Sequence, residues 1–189
     1  KPLADKYKDK GNNDMALNLY KQLIVSSNVS KEDYKVAEYN IASLSLENNE
    51  TNYILTYLKD NQEDSNFENG VYDLINYYKS NQMLPDELAT YIKYLPLLNQ
   101  SYNFLNSYAW RMSELDKNLD DALKKVDMAL ILIGEEHKGY ANILDTKAEV
   151  FWKIGNIKDA VLIIDEALKI DSDSEYYKSQ KEKFLQSIN

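Results

Sequence analysis

Cysteine is absent from the 189 residues of the chain, which excludes intrachain disulfides, thiolate metal sites and thiol chemistry within it and leaves its compartment open. Histidine and arginine occur once each, at His137 and Arg111. Serines are numerous, but a hydroxyl nucleophile would have only that one imidazole as its base. Nor can several guanidinium groups be gathered into a clamp for carboxylate or phosphate. The five glycines stand apart from one another, so no phosphate-cradling glycine loop exists. No run of about 18 apolar residues occurs, and so the sequence contains no helical membrane span. The net charge is −9, and an acidic surface repels a phosphate backbone, which argues against a nucleic-acid partner.

Only five glycines and three prolines interrupt the chain, which predicts helix nearly throughout, and 44% hydrophobic residues can bury a substantial core as one domain or as a repeat array. Residues 141–174 are the most regular stretch. In their second half Ile157, Ala160, Val161, Ile164, Ala167 and Leu168 recur at spacings of three and four, while Lys158, Asp159, Asp165, Glu166 and Lys169 point elsewhere. In their first half Leu144, Ala148, Phe151 and Trp152 form a similar stripe. Gly155 followed by Asn156 supplies a left-handed stop and the next N-cap. Two helices joined by so short a turn pack antiparallel. Thirty-eight residues upstream, Leu119, Ala122, Leu123, Val126, Ala129 and Leu130 occupy the same six apolar positions. A first helix over 103–115 places Leu105, Tyr108, Ala109 and Met112 on one side, with Ala109 matching Ala148 at a shift of 39. The one-residue difference falls in the turn SELDKN, and GEEHKGY forms a loose link between the two units.

These residues resemble the tetratricopeptide repeat, a helix-turn-helix unit of about 34 residues whose alanines let paired helices approach closely. The resemblance implies an all-α, right-handed array of antiparallel helix pairs, with degenerate repeats over 1–100 and two good repeats plus a capping helix over 101–189, in one continuous array. It also implies a non-catalytic scaffold that binds a partner peptide or protein, or copies of itself, with no cofactor and no metal. If the repeats stack as in the family, the first helices line a concave groove. The residues facing a ligand would then be Asn103, Asn106, Trp110 and Ser113 in one repeat and Asn142, Asp145, Glu149 and Lys153 in the next. Members that grip a C-terminal carboxylate use lysine, arginine and asparagine at such positions. Here Asp145 and Glu149 stand instead, which favours a basic or neutral peptide. Lys147 occupies a position where the family prefers leucine, so either its stem snorkels or the packing departs locally from the pattern.

A second resemblance concerns context. NSYAWRMSE, NLDDALKKVDMAL and ILDTKAEVFWKIGNIKDAV, within roughly the last 85 residues, are similar to the helical repeats that follow a thioredoxin-like domain in some bacterial envelope proteins. This implies an alternative role as the accessory domain of a thiol-disulfide protein in a bacterial envelope or periplasm, with the redox chemistry outside this chain.

In the N-terminal half, residues 2–10 read as the remnant of a helix. Gly11 then leads into a stripe of Met15, Ala16, Leu19, Tyr20 and Leu23, and GNNDMA matches GNIKDA, which reads as a start partway through a repeat of something longer. Residues 31–46 carry Tyr34, Ala37, Ile41 and Leu44 on one side, Asn48 to Glu50 break, and 53–58 follow. Next, Val71, Leu74, Ile75 and Tyr78 make one helix. Asn81 and Gln82 end it, and Pro85 suits the first turn of another bearing Leu88, Tyr91, Ile92 and Leu95, which Pro96 ends or kinks. About five helices are expected before the clear repeats. After them, residues 172–174 cap a final helix whose Tyr177, Phe184, Leu185 and Ile188 face the stack while Lys178, Lys181 and Lys183 stay wet.

Other candidates for chemistry have plainer readings. Asp171, Asp173 and Glu175 alternate as in a calcium loop, but Tyr176 replaces the obligatory glycine and a capping link fits better. His137 beside Glu135 and Glu136 reads as a solvated loop residue. Asp120 with Asp121 sits at a helix start, where it complements the dipole. The sequons at Asn28, Asn49 and Asn99 are expected by chance in so asparagine-rich a chain. Most of the sixteen tyrosines, including Tyr20, Tyr34, Tyr39 and Tyr91, read as half-buried packing residues with wet hydroxyls. The pairs Tyr77/Tyr78 and Tyr176/Tyr177 cannot bury both rings on one helix face and are candidates for an exposed aromatic cluster.

Overall fold

The structure is a computed structural model that describes residues 1–187. Among the described residues there are eleven α-helices and no strand, and the chain divides into two compact units, Lys1–Tyr94 and Leu95–Asn189.

The first unit comprises α1 (Pro2–Asp9), α2 (Asn13–Ile24), α3 (Lys31–Ser45), a one-turn 3-10 helix (Leu46–Asn48), α4 (Thr51–Asp60), α5 (Phe67–Ser80) and α6 (Leu84–Tyr94). The ends follow from local chemistry. Pro2 opens α1, where its missing N–H is no loss. The Asn12 and Ser30 side chains cap α2 and α3 by accepting from the N–H groups of Met15 and Asp33 at 3.3 and 3.0 Å. Asn49 and Gln82 take the left-handed conformation at the ends of the 3-10 turn and of α5. Pro96 disfavours helical backbone at Leu95, and α6 stops at Tyr94. Successive helices pack on one another from α1 through α6, and α3 also packs on α5. The core of the first three helices is Ala4, Ala16, Leu17, Tyr20, Ala37, Ile41 and Leu44.

Several faces differ from the expected ones. Six α-helices precede the clear repeats rather than about five. Met15 is 42% exposed and Leu17 takes its place in the core, because Ala16 and Tyr20 set the seam and the Tyr20 hydroxyl donates to Asp5 at 2.6 Å. Tyr34 is half exposed. On α6 the buried face is Glu87, Thr90, Tyr91 and Tyr94, rotated by one position from the expected stripe, and Ile92 is exposed.

The second unit comprises α7 (Tyr102–Leu115), α8 (Leu119–Ile133), α9 (Tyr140–Ile154), α10 (Ile157–Ile170) and α11 (Glu175–Gln186). The tightest pairings are α7 with α8 and α9 with α10, with α8 against α9, α7 against α9 and α11 against α10. Gly155 has φ +88° and closes α9 as expected. The N–H of Asn156 bonds the Phe151 carbonyl at 2.9 Å, and the Asn156 side chain caps α10. In the preceding repeat Asp116 (φ +54°) takes the role of Gly155, with Lys117 N–H bonding the Met112 carbonyl at 3.0 Å. The inserted residue is absorbed by a second left-handed position, Asn118 (φ +48°). Ala109, Ala122, Ala129, Ala148, Ala160 and Ala167 are fully buried, which is what close helix approach requires. Lys147 bonds Asp127 at 2.8 Å with its ammonium 5.8 Å from the Phe151 ring centroid, so its stem snorkels along the helix.

On α11, Phe184 is buried as expected, but Leu185 is 42% exposed and Gln180 takes the inward place. The expectation for Ile188 lies outside the described residues. Lys178 stays on the surface, whereas Lys181 pairs with Asp165 at 2.7 Å and Lys183 pairs with Glu149.

Ala160→Leu adds three carbons where there is no space, and it is expected to destabilise by about 1–3 kcal/mol. Denaturant unfolding of the two proteins measures this, and an unchanged midpoint would remove close packing at that seam.

Candidate functional site

Tyrosines set the polar frame of both units. The rings of Tyr20, Tyr57 and Tyr108 lie in the core, that of Tyr39 is partly buried and that of Tyr176 is exposed, while all five hydroxyls donate to aspartates on neighbouring segments: Tyr20 to Asp5 at 2.6 Å, Tyr39 to Asp73 at 2.9 Å, Tyr57 to Asp64 at 2.9 Å, Tyr108 to Asp121 at 2.9 Å and Tyr176 to Asp145 at 3.1 Å. The expected wet hydroxyls are therefore internal donors at Tyr20 and Tyr39. Burial first, and the adjacent carboxylate second, push all five phenols above their ordinary range, so they remain protonated donors. Asp64 goes the other way. Burial raises it, but the Asn66 N–H, the Tyr57 hydroxyl and Lys35 outweigh burial and hold it below the ordinary carboxylate value. The pairs Tyr77/Tyr78 and Tyr176/Tyr177 each stack edge to face, at 5.5 and 5.7 Å between centroids.

In the second unit the residues expected to face a ligand separate into distinct environments. Asn106, Trp110, Asn142 and Asp145 come together, with Thr146 and Tyr176, around a groove of about 220 Å³ along the first helices α7 and α9 and the start of α11. Asn142 is exposed, and the Asn106 Oδ1 is buried without a hydrogen-bond partner. Asn103 is exposed and lies outside that lining. Ser113 is fully buried and donates to the Trp110 carbonyl at 2.7 Å, which occupies its hydroxyl within the helix. Lys153 lies beside Trp152, 5.0 Å from its ring centroid, and lines a different depression with Asp116, Asp120 and Lys124 at the repeat turns.

Asp145 and Glu149 are not open to a ligand as expected, being 2% and 7% exposed beneath α11. Gln180 donates to Asp145 at 3.2 Å and to Glu149 at 3.5 Å, Tyr176 donates to the other oxygen of Asp145, and Lys183 bonds Glu149. The Lys183 ammonium also lies 4.4 Å from the Trp152 ring centroid, and the Trp152 indole N–H donates to Ser187 at 2.8 Å. Two acidic side chains one turn apart on α9 thus receive the polar stripe 176, 180, 183 of α11. Burial, above all, raises the Asp145 carboxyl from its ordinary 3.8. Its bonds from Gln180 and Tyr176 oppose the rise, Glu149 adds to it, and Lys183 opposes it. Thr146, Tyr176, Gln180 and Lys183 are the residues that sequence reasoning missed; for the last three their spacing along α11 was the available signal.

Among the described residues no group of three or more His, Cys, Asp or Glu side chains converges as a metal site would require, and no helix is long and apolar enough to cross a membrane. His137 is exposed, accepts from the Gly139 N–H at 3.0 Å and stacks against Tyr102.

No protein-family model matches the sequence, and no curated protein matches it either. Among solved structures, that of BtubC (BKLC) from P. vanneervenii is similar with a TM-score of 0.67 and 16% identity, over 90% of this chain and 77% of that one. A putative kinesin light chain of Podosopora anserina with nearly identical TPR-like repeats gives a TM-score of 0.62 at 12% identity, over 92% of this chain and 94% of that one. At such identities the likeness concerns the fold, which is an all-α TPR-like helical-repeat scaffold. Neither neighbour supports the expected link to a thioredoxin-like domain or to a bacterial envelope.

Two predictions follow from the α9–α11 contact. Lys183→Ala removes the cation from a buried Glu149 and is expected to destabilise by about 1–3 kcal/mol, while Glu149→Gln combined with Lys183→Ala recovers most of that loss. Unfolding of the wild type, the two single variants and the double variant measures the coupling, and additive effects would exclude it. The second concerns pH. Because the folded Asp145 carboxyl binds its proton more tightly than the unfolded one, its contribution to stability falls as pH rises from 3.8 through the raised folded value. Asp145→Asn removes that penalty, so the stability of the variant relative to wild type is expected to be greater at neutral pH than in acid. A difference that is constant with pH would contradict it.

Proposed function

We propose that this chain is a non-catalytic protein-interaction scaffold that holds a partner segment along the first helices of its repeats. The observation that carries this reading is the groove over α7, α9 and α11, where Asn106, whose Oδ1 has no hydrogen-bond partner, meets the partly buried Trp110. Amides of this kind suit an extended peptide, whose own backbone donors and acceptors need partners. A polar groove of about 530 Å³ lined by Ser43, Glu47, Asp73, Asn76 and Tyr77 occupies the corresponding first helices, α3 and α5, of the first unit and supports the same reading. A basic or neutral segment is favoured, because Glu47 and Asp73 line the groove of the first unit.

The test is an affinity capture from the source cell with the wild-type chain and with a variant carrying Asn106→Ala and Asn142→Arg. Both changes leave the α9–α11 contact intact. A partner retained by the wild type and lost from the variant is the expected result; a partner held equally by both would move the contact off this groove.

A further inference from the structure

In the first unit a more enclosed groove of about 460 Å³ runs along α3, between the C-terminal end of α2 and the first turns of α4. Ile24, Val25, Tyr34, Ile41 and Tyr53 make it apolar, and Val25 is 81% exposed, Tyr34 39% and Tyr53 37%. Glu38 also lines it, on the same face of α3 as Tyr34 and Ile41. Half-buried there, Glu38 makes no ion pair among the described residues. Lys35 is taken by Asp64 at 3.4 Å, and Lys21 lies over the Tyr53 ring at 4.8 Å and pairs with Glu50 at 3.9 Å. Burial foremost lifts the Glu38 carboxyl above its ordinary value; a hydrogen bond from Asn61 opposes the lift, Asp60 and Asp64 add to it, and Lys35 opposes it.

We propose that this groove is a second binding site, for a partner segment that sets a lysine or arginine against Glu38 and a large apolar side chain between Tyr34 and Tyr53. The proposal does not rest on the groove of the second unit. A half-buried carboxylate without a counterion is an unfavourable arrangement that an incoming cation relieves. The Tyr34 face attracts the same charge, while the Tyr53 face already holds Lys21, which also lines the groove and whose charge Glu50 answers. Ile24, Val25 and Ile41 offer apolar surface that a charged residue alone would leave wet, so the segment needs an aliphatic or aromatic neighbour beside its cation. The volume lies within the range of roughly 300–1,000 Å³ that takes a small ligand. An acidic segment is disfavoured by Glu38, Asp60 and Asp64 together.

The test is an NMR titration of the full chain with an acetylated, amidated pentapeptide having leucine, phenylalanine and arginine at its centre, and with the same peptide carrying neutral citrulline in place of arginine. The arginine peptide is expected to shift amides around Glu38 on α3 and along the facing parts of α2 and α4. Affinity should fall roughly tenfold with citrulline, and by a similar factor for Glu38→Gln. Thr56→Trp adds bulk at an exposed position lining the groove, removes no contact of the core, and should abolish binding without changing the melting temperature. Equal affinity of the two peptides, shifts confined to other helices, absence of binding at millimolar peptide, or undiminished binding to a folded Thr56→Trp would each overturn the proposal.

Discussion

Helices joined by turns as short as those after Leu115 and Ile154 lie closely side by side only where the facing positions carry almost no side chain, and in the second unit alanine supplies that condition. Ala109, Ala122, Ala129, Ala148, Ala160 and Ala167 have no exposed surface. Once the pairs are this close, Val126 and Ile164 are sealed between them, and the chain must reverse within two or three residues. That reversal demands left-handed backbone, at Gly155 in one repeat and at Asp116 and Asn118 in the other. The remaining sides of α7 and α9 are then left for polar contacts, and the 220 Å³ groove forms on them.

The same geometry explains why carboxylates lie under the last helix. Asp145 and Glu149 stand one turn apart on a side of α9 that no alanine seam uses, and α11 closes over them with Tyr176, Gln180 and Lys183 at matching heights. Taking two carboxylates from water is unfavourable, and the compensating donors must all be present together. Such an all-or-none network orients α11 more narrowly than the burial of Phe184 alone, because an apolar contact tolerates rotation whereas these bonds do not. In consequence, the acidic face expected to form the wall of a ligand groove is satisfied from within, and Asn106, Asn142, Trp110 and Thr146 make up the lining beside it.

What was legible in the sequence was local. Gly155 before Asn156, the cap ending at Ser174, and Pro96 after α6 each act within a few residues, and each marks a boundary in the structure. The thirty-eight-residue offset between α8 and α10 was legible because identical packing demands identical residues. On α6, by contrast, the stripes 87, 90, 91, 94 and 88, 91, 92, 95 share Tyr91 and differ by one position. Leu88 and Ile92 are the more apolar choice, yet Glu87 and Thr90 are buried, which no period within the helix can decide. Likewise, two acids at a spacing of four on α9 read as facing a ligand until a partner helix about thirty residues on is set against them. In the candidate site, four of the eight expected residues share one groove; the others diverge because exposure depends on α11 and on the repeat turns.

The abundance of tyrosine and the acidity of the chain are two sides of one arrangement. A tyrosine at a seam buries its ring and carries its hydroxyl to the margin, where a carboxylate is the strongest acceptor available. Asp5, Asp64, Asp73, Asp121 and Asp145 fill that role; Lys35 also pairs with Asp64, and Lys147 and Lys183 answer other acids, Asp127 and Glu149, in the same margins. A phenylalanine scaffold would need none of these acids, and a scaffold of the same acids without tyrosine would hold its helices apart by repulsion. The net charge of −9 therefore overstates the negative charge free to act on a partner. In the first unit Glu38, half-buried in the apolar surface between α2 and α4, makes no ion pair among the described residues, and the proposed preference for a cation rests on that.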